Sequence, residues 1–180
     1  MSESSNVNLT SASGDAGRYV GKGMNAFRQF VADNERWFRG HLPETDESLN
    51  DAEHALGVRL PDDIRWVLRD YGYWHATGIS SLDETITDTR AAREHVQLPE
   101  RFIVLYNHQD GGVILLDTIV DPETQANRVY NVAWESIPGE MTDEIVYHSY
   151  LDYVRDVMER EREFIDDDDI DYDPTSYRTA

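Results

Sequence analysis

The chain has 180 residues, 39% of them hydrophobic, no cysteine and a formal net charge of −20. That length supports one domain with a real core. The missing thiols exclude disulfides and thiolate chemistry, which suits a reducing compartment, and the charge repels DNA, RNA and anionic membranes.

The acidity itself has two readings that the sequence leaves open. It can attract a basic partner, such as a nuclease shaped to hold phosphate, or it can reflect a salt-loving or GC-rich source. Lys22 is the sole lysine, and arginine supplies every other fixed positive charge. The start, Met1 to Asn6, has neither a basic region nor an apolar run, so no signal peptide is expected. No segment approaches the roughly 20 apolar residues of a membrane span. A soluble cytoplasmic protein is the expectation.

Residues 1–22 are rich in Ser, Asn and Gly and nearly free of large apolar side chains, the composition of a mobile leader. From Met24, the residues Phe27, Phe30, Val31, Asn34, Trp37 and Phe38 fall at helical spacing and end at Gly40. Pro43 to Asp46 form a loop. Two short helices follow. Leu49, Ala52 and Leu56 share one face of the first, and Gly57 stands where a left-handed C-terminal cap is needed. Val58 and Leu60 bridge to Pro61, which suits the first turn of the second helix because its missing N–H would lack a partner there anyway. Asp62 and Asp63 favour the positive end of that helix. Ile64, Val67, Leu68 and Tyr71 line its face up to Gly72, while Trp66 lies off the stripe, either as an exposed anchor or as filler against the first helix.

Ser81 with Glu84 reads as a capping box opening a third helix, whose inner face carries Leu82, Ile86, Thr89, Arg93 and Val96. Arg90, Arg93 and Glu94 are expected to be solvated or paired with neighbouring acids. Leu98-Pro99 ends that helix. Phe102–Tyr106 and Val113–Leu116 are continuous apolar runs, hence strands covered on both faces, joined by a Gly-rich turn over 107–112. Residues 121–123 make another turn and Arg128–Trp134 a third strand. Ser149 with Asp152 opens a last helix lined by Tyr150, Leu151, Val154, Val157 and Met158. From Asp166 the run of four aspartates reads as a disordered acidic tail. The domain plan is a leader over 1–22, a single domain over 23–165 and a tail over 166–180.

Several of these landmarks carry a resemblance. Leu56-Gly57-Val58-Arg59-Leu60-Pro61-Asp62-Asp63, the Tyr71-Gly72 ending, Asp110-Gly111, Asp117, Val129-Tyr130 and Ser149 to Val154 occur in an order that resembles the SUKH superfamily, the Smi/Knr-type domains. The likeness spans about residues 46–160; the leader and tail are this chain's own. It implies an α+β fold, a small mostly antiparallel sheet packed with helices. It also implies a non-enzymatic immunity protein, one that binds a cognate polymorphic toxin and occludes its active surface. A regulatory scaffold of the Smi/Knr type is the alternative, and an uncharacterised hydrolase is the rival from another class.

The search for chemistry finds little. The six histidines are scattered without a His-x-x-x-His pair, and no Gly-x-Ser-x-Gly elbow is present. Gly21-Lys22-Gly23 lacks both the strand before and the Ser or Thr after a phosphate-loop lysine. No catalytic residue, metal or cofactor is therefore expected. For partner binding the expected residues are Tyr73, Trp74 and His75, aromatics of the type enriched in interface hot spots, with Asp83, Glu84 and Asp110 as an acidic rim. Tyr73 and Trp74 serve equally well as covers for the sheet.

Overall fold

The computed structural model describes residues 16–38, 40, 42–73, 75–137 and 145–165. Most of the predicted leader, the predicted acidic tail and Trp74 lie outside the described residues. Among the described residues, six helices and four strands follow in the order α1 (Ala16–Asp33), α2 (Glu35–Phe38), α3 (Asp46–Leu56), α4 (Asp62–Asp70), α5 (Leu82–His95), β1 (Phe102–Asn107), β2 (Val113–Val120), β3 (Asn127–Val132), β4 (Ile145–Tyr147) and α6 (Tyr150–Glu161). The strands pair antiparallel in the order β1-β2-β3-β4. The fold is α+β, as expected.

The elbow between α3 and α4 is where local sequence and tertiary packing agree most closely. Thr45 and Ser48 cap α3 reciprocally, side chain to backbone in both directions, and Gly57 ends it at φ 70° in the left-handed region. Pro61 stands one position earlier than expected, as the residue before the helix rather than in its first turn. Glu53 then locks the joint: its carboxylate accepts the Leu60 N–H at 2.8 Å and pairs with Arg65 at 2.9 Å. The aliphatics Leu49, Ala52, Leu56, Ile64, Val67 and Leu68 are buried. Trp66 proves to be filler: its ring meets Phe27 edge-on at 5.8 Å and Tyr71 at 5.4 Å.

Both faces of the sheet are covered, because β1 and β2 alternate between two apolar clusters. Ile103, Leu105, Ile114, Leu116 and Val129 pack under α1, α3, α4 and α6. Phe102, Val104, Val113, Leu115 and Val132 pack with Ala92, Leu98 and Ile137 on the other side. This two-sided burial is what the uninterrupted apolar runs require. Helix α5 lies along the outer edge of β1 and satisfies it. Thr89 Oγ1 accepts the Val104 N–H at 2.9 Å, and the Ser80 N–H reaches the Leu105 carbonyl at 3.1 Å. An edge dressed in this way cannot pair with another chain.

Four local readings need correction. The first helix begins at Ala16, inside the expected leader, and the stripe from Met24 is broken at Asn34, whose side-chain amide donates to the Phe30 carbonyl at 2.8 Å. Arg90 and Arg93 are not simply solvated: they donate to the last-turn carbonyls of α3, Ala55 at 3.1 Å and Leu56 at 2.6 Å. These are orphan acceptors of a helix end, so the two arginines cap α3 from another helix. The third strand stops at Val132, and Trp134 opens a 3-10 turn and donates its indole N–H to the Gln109 carbonyl. In the turn between β1 and β2 the left-handed positions are Gln109 and Gly112.

Candidate functional site

Helix α6 is 12 residues long, about 18 Å at 1.5 Å per residue, and an open concavity lies at each of its ends. Two buried tyrosine hydroxyls hold it in place. Tyr150 donates to the Thr77 carbonyl at 2.6 Å and Tyr153 to the Gly78 carbonyl at 2.9 Å. Gly78 has φ 62°, and a Cβ there would meet the Tyr153 ring at 2.5 Å, so glycine is required twice over.

The first concavity lies at the C-terminal end of α6, beneath the turn from β1 to β2. It measures about 400 Å³ and is lined by Gly78, Ile79, Tyr106, His108, Tyr153 and Arg160, among others. Tyr106 is 40% exposed, and its ring centroid lies 4.7 Å from that of His108. Partial burial, and then Arg160, hold the His108 imidazole below its ordinary pKa, so it is neutral at pH 7. Arg160 is itself engaged: it pairs with Asp156 at 3.0 Å, and Asp156 accepts the Tyr147 hydroxyl at 2.6 Å. Burial and that carboxylate push Tyr147 up to about 12. The groove is thus largely aromatic, with Arg160 and Glu161 as its charged lining residues.

The residues expected to bind a partner are distributed around this end. Tyr73 is half-buried, and both sides of its hydroxyl are used internally. It donates to Glu44 Oε1 at 2.5 Å and accepts the Leu82 N–H at 3.1 Å, tying the start of α5 to the loop before α3. Burial and the Glu44 carboxylate raise its pKa well above the usual tyrosine range. Asp83 and Glu84 are exposed in the first turn of α5, where Ser81 Oγ accepts the Glu84 N–H and donates to the Glu84 carboxylate, both at 3.1 Å. The backbone of His75 opens the 3-10 turn His75–Thr77, and that of Asp110 lies within the turn Gln109–Gly111; their side chains lie outside the described residues. The turn and α5 are neighbours, since Asn107 Nδ2 donates to Asp88 Oδ2 at 3.1 Å. Tyr106 and His108 were not singled out from the sequence. Tyr106 ends an apolar run and reads as one more strand residue; the signal available was its place beside a polar turn.

The second concavity, about 360 Å³, lies at the N-terminal end of α6, between the elbow and the hairpin joining β2 to β3. Phe27, Leu60, Val120 and Leu151 supply its apolar lining, and Asp63 its one half-buried acid. Asp63 Oδ1 accepts the Ile64 N–H at 2.9 Å, and burial pushes the carboxyl up to about 6. The hairpin is held by Asp121, which accepts the N–H groups of Glu123 at 2.7 Å and Thr124 at 2.9 Å and pairs with Arg128. Those donors, with Arg128, hold the Asp121 carboxyl below the usual range.

Among the described residues no group of three or more His, Cys, Asp or Glu is placed to hold a metal ion, and no helix is long and apolar enough to cross a membrane. No curated protein and no solved structure matches the chain at significance. Residues 25–159 match the family model SUKH_5, described as SMI1-KNR4 cell-wall. That match takes in the elbow, the whole sheet and nearly all of α6, and the chain belongs to this SMI1-KNR4 family of the SUKH superfamily.

Proposed function

We propose that this protein is an immunity protein: it binds a cognate protein toxin and occludes the toxin's active surface without turning over a substrate. The contact surface is the end of the molecule that carries Tyr106 and His108, with the exposed acids Asp83 and Glu84 beside it. The observation that carries this reading is the exposed pair of rings, Tyr106 and His108, inclined at 54° to each other over a preformed groove of about 400 Å³. Aromatic side chains in such positions bury large area at low entropic cost. Membership of the SUKH superfamily supports a protein partner, and a net charge of −20 supports a basic one. If the toxin is a nuclease, the acids stand where phosphates would lie.

The test is co-expression with the product of the adjacent open reading frame. Rescue of growth by the wild-type chain, and loss of rescue with Tyr106→Ala while the fold is retained, is the expected result. Failure of the wild-type chain to rescue or to bind that protein overturns the reading. Persistence of the complex in molar salt would remove charge as its basis and the phosphate-mimic idea with it. A second reading, a regulatory protein-interaction module, is favoured by the cell-wall description of the matched family. It predicts a stable complex with a housekeeping protein and no protection. Turnover of a model ester or phosphodiester, lost on a single carboxylate change, would instead favour a hydrolase.

A further inference from the structure

We propose that the cavity between the elbow and the β2–β3 hairpin is a second recognition site, one that receives an arginine side chain presented by a partner protein. The guanidinium would sit on Asp63, and the methylene stem would lie against Phe27, Leu60 and Val120. This goes beyond the aromatic groove, which lies at the other end of α6, and it rests on the reading of the chain as a protein-binding module.

Three observations converge on that occupant. The lining is apolar along one wall and acidic where Asp62 and the deeper Asp63 stand, the pattern of a pocket for a long side chain with a charged head. The acid is uncompensated: among the described residues no arginine or histidine pairs with Asp63. Arg59, the one cation among the described lining residues, is drawn to Asp62 at 3.7 Å with its side chain 81% exposed. The rim is apolar and open, with Val120 45% and the neighbouring Ile119 57% exposed.

Among the described residues, the charged and titratable groups around Asp63 are Asp62 and Arg59 on the elbow and Tyr150 from α6. None neutralises it, and burial already disfavours its ionised form. An incoming cation reverses that penalty, so binding strengthens as pH rises through about 6, where Asp63 ionises. Arginine fits better than lysine. Its planar fork can bridge a carboxylate by two parallel bonds, and it sheds water more easily than an ammonium.

The experiment is an amide NMR titration of the full chain at pH 7 with Nα-acetyl-arginine methylamide, using the citrulline analogue as the neutral isostere. The expected result is saturable shifts at Leu60, Val120 and Leu151 that weaken about tenfold or more with citrulline, with Asp63→Asn, or at pH 5. Asp51→Asn removes an exposed charge of the same sign, outside both concavities, and should change binding less than about twofold. Equal binding of citrulline, retained binding in Asp63→Asn, or an equal loss in Asp51→Asn would overturn the proposal. Lys22 directly precedes the cavity residue Gly23, so Lys22→Ala is included; a gain of about tenfold there would make the chain's own lysine the occupant and overturn it too. Rescue from the toxin is scored separately. Loss of rescue with arginine binding intact removes the immunity reading alone, and intact rescue without arginine binding removes only this one.

Discussion

The concavities at the two ends of α6 are alike in size, about 400 and about 360 Å³, and unlike in how their charges are settled. At the C-terminal end Arg160 is answered by Asp156, Asp156 by Tyr147, and His108 is neutral. At the N-terminal end Arg59 and Asp62 answer each other at the surface, while Asp63, deeper, has no paired cation among the described residues. A net charge of −20 describes neither site. What a partner meets is the local remainder after internal pairing: an aromatic groove beside the Arg160–Asp156 pair at one end, and a half-buried carboxyl in a partly apolar cavity at the other.

The sharpest way to break the comparison is to remove the shared scaffold. Gly78→Ala places a Cβ against the Tyr153 ring at a left-handed φ and displaces the latch on α6. Combined overpacking and backbone strain should cost about 3 kcal/mol or more in chemical denaturation, and should perturb both concavities. A loss under about 1 kcal/mol would mean that α6 is not held there.

Asp63→Asn tests the uncompensated acid directly. Its folded-state pKa of about 6 lies above the unbound carboxyl's 3.8, so the native state holds this proton more tightly than the unfolded chain does. The favourable contribution of the protonated form is complete below about pH 4 and is lost as pH rises to about 6. The asparagine variant should therefore match wild type near pH 4 and exceed it by about 2 kcal/mol above pH 6, allowing for water at the cavity mouth. Equal stability at both pH values would show that the carboxyl is not buried at a penalty. At the other end the equivalent substitution of an exposed acid, Asp83→Asn, should change stability by less than about 0.5 kcal/mol at any pH.

Two further substitutions refine the contrast between structure and surface. Thr89→Val leaves the Val104 N–H of the β1 edge without its acceptor and should cost about 1–2 kcal/mol, with faster hydrogen exchange at that amide. Tyr106→Ala should cost under about 1 kcal/mol of stability, because the ring is 40% exposed, yet should weaken partner binding by about tenfold or more. If its stability cost exceeds its binding cost, Tyr106 is a packing residue and not an anchor.

What the amino-acid order determined by itself was everything governed by neighbours a few residues apart. Gly57 as a left-handed cap, Ser81 and Ser149 as helix starts, and the aliphatic face of the elbow follow from local geometry and helical period. The unbroken apolar runs of β1 and β2 announced burial on both faces, and the spacing of the landmarks carried the family resemblance. The contacts that assign roles to polar residues join segments far apart, and no local pattern encodes them. Arg93 looks like any solvated arginine until α3 ends 37 positions earlier against it. Tyr73 looks like an interface aromatic until Glu44 and Leu82 take its hydroxyl, and Asp63 like a helix-dipole acid until α6 folds over it. Strand β4, only three residues long, carries too few positions to show a period. Electrostatic character depends on who is nearby in space and on how much water is left, and both are decided only when the helices close over the sheet.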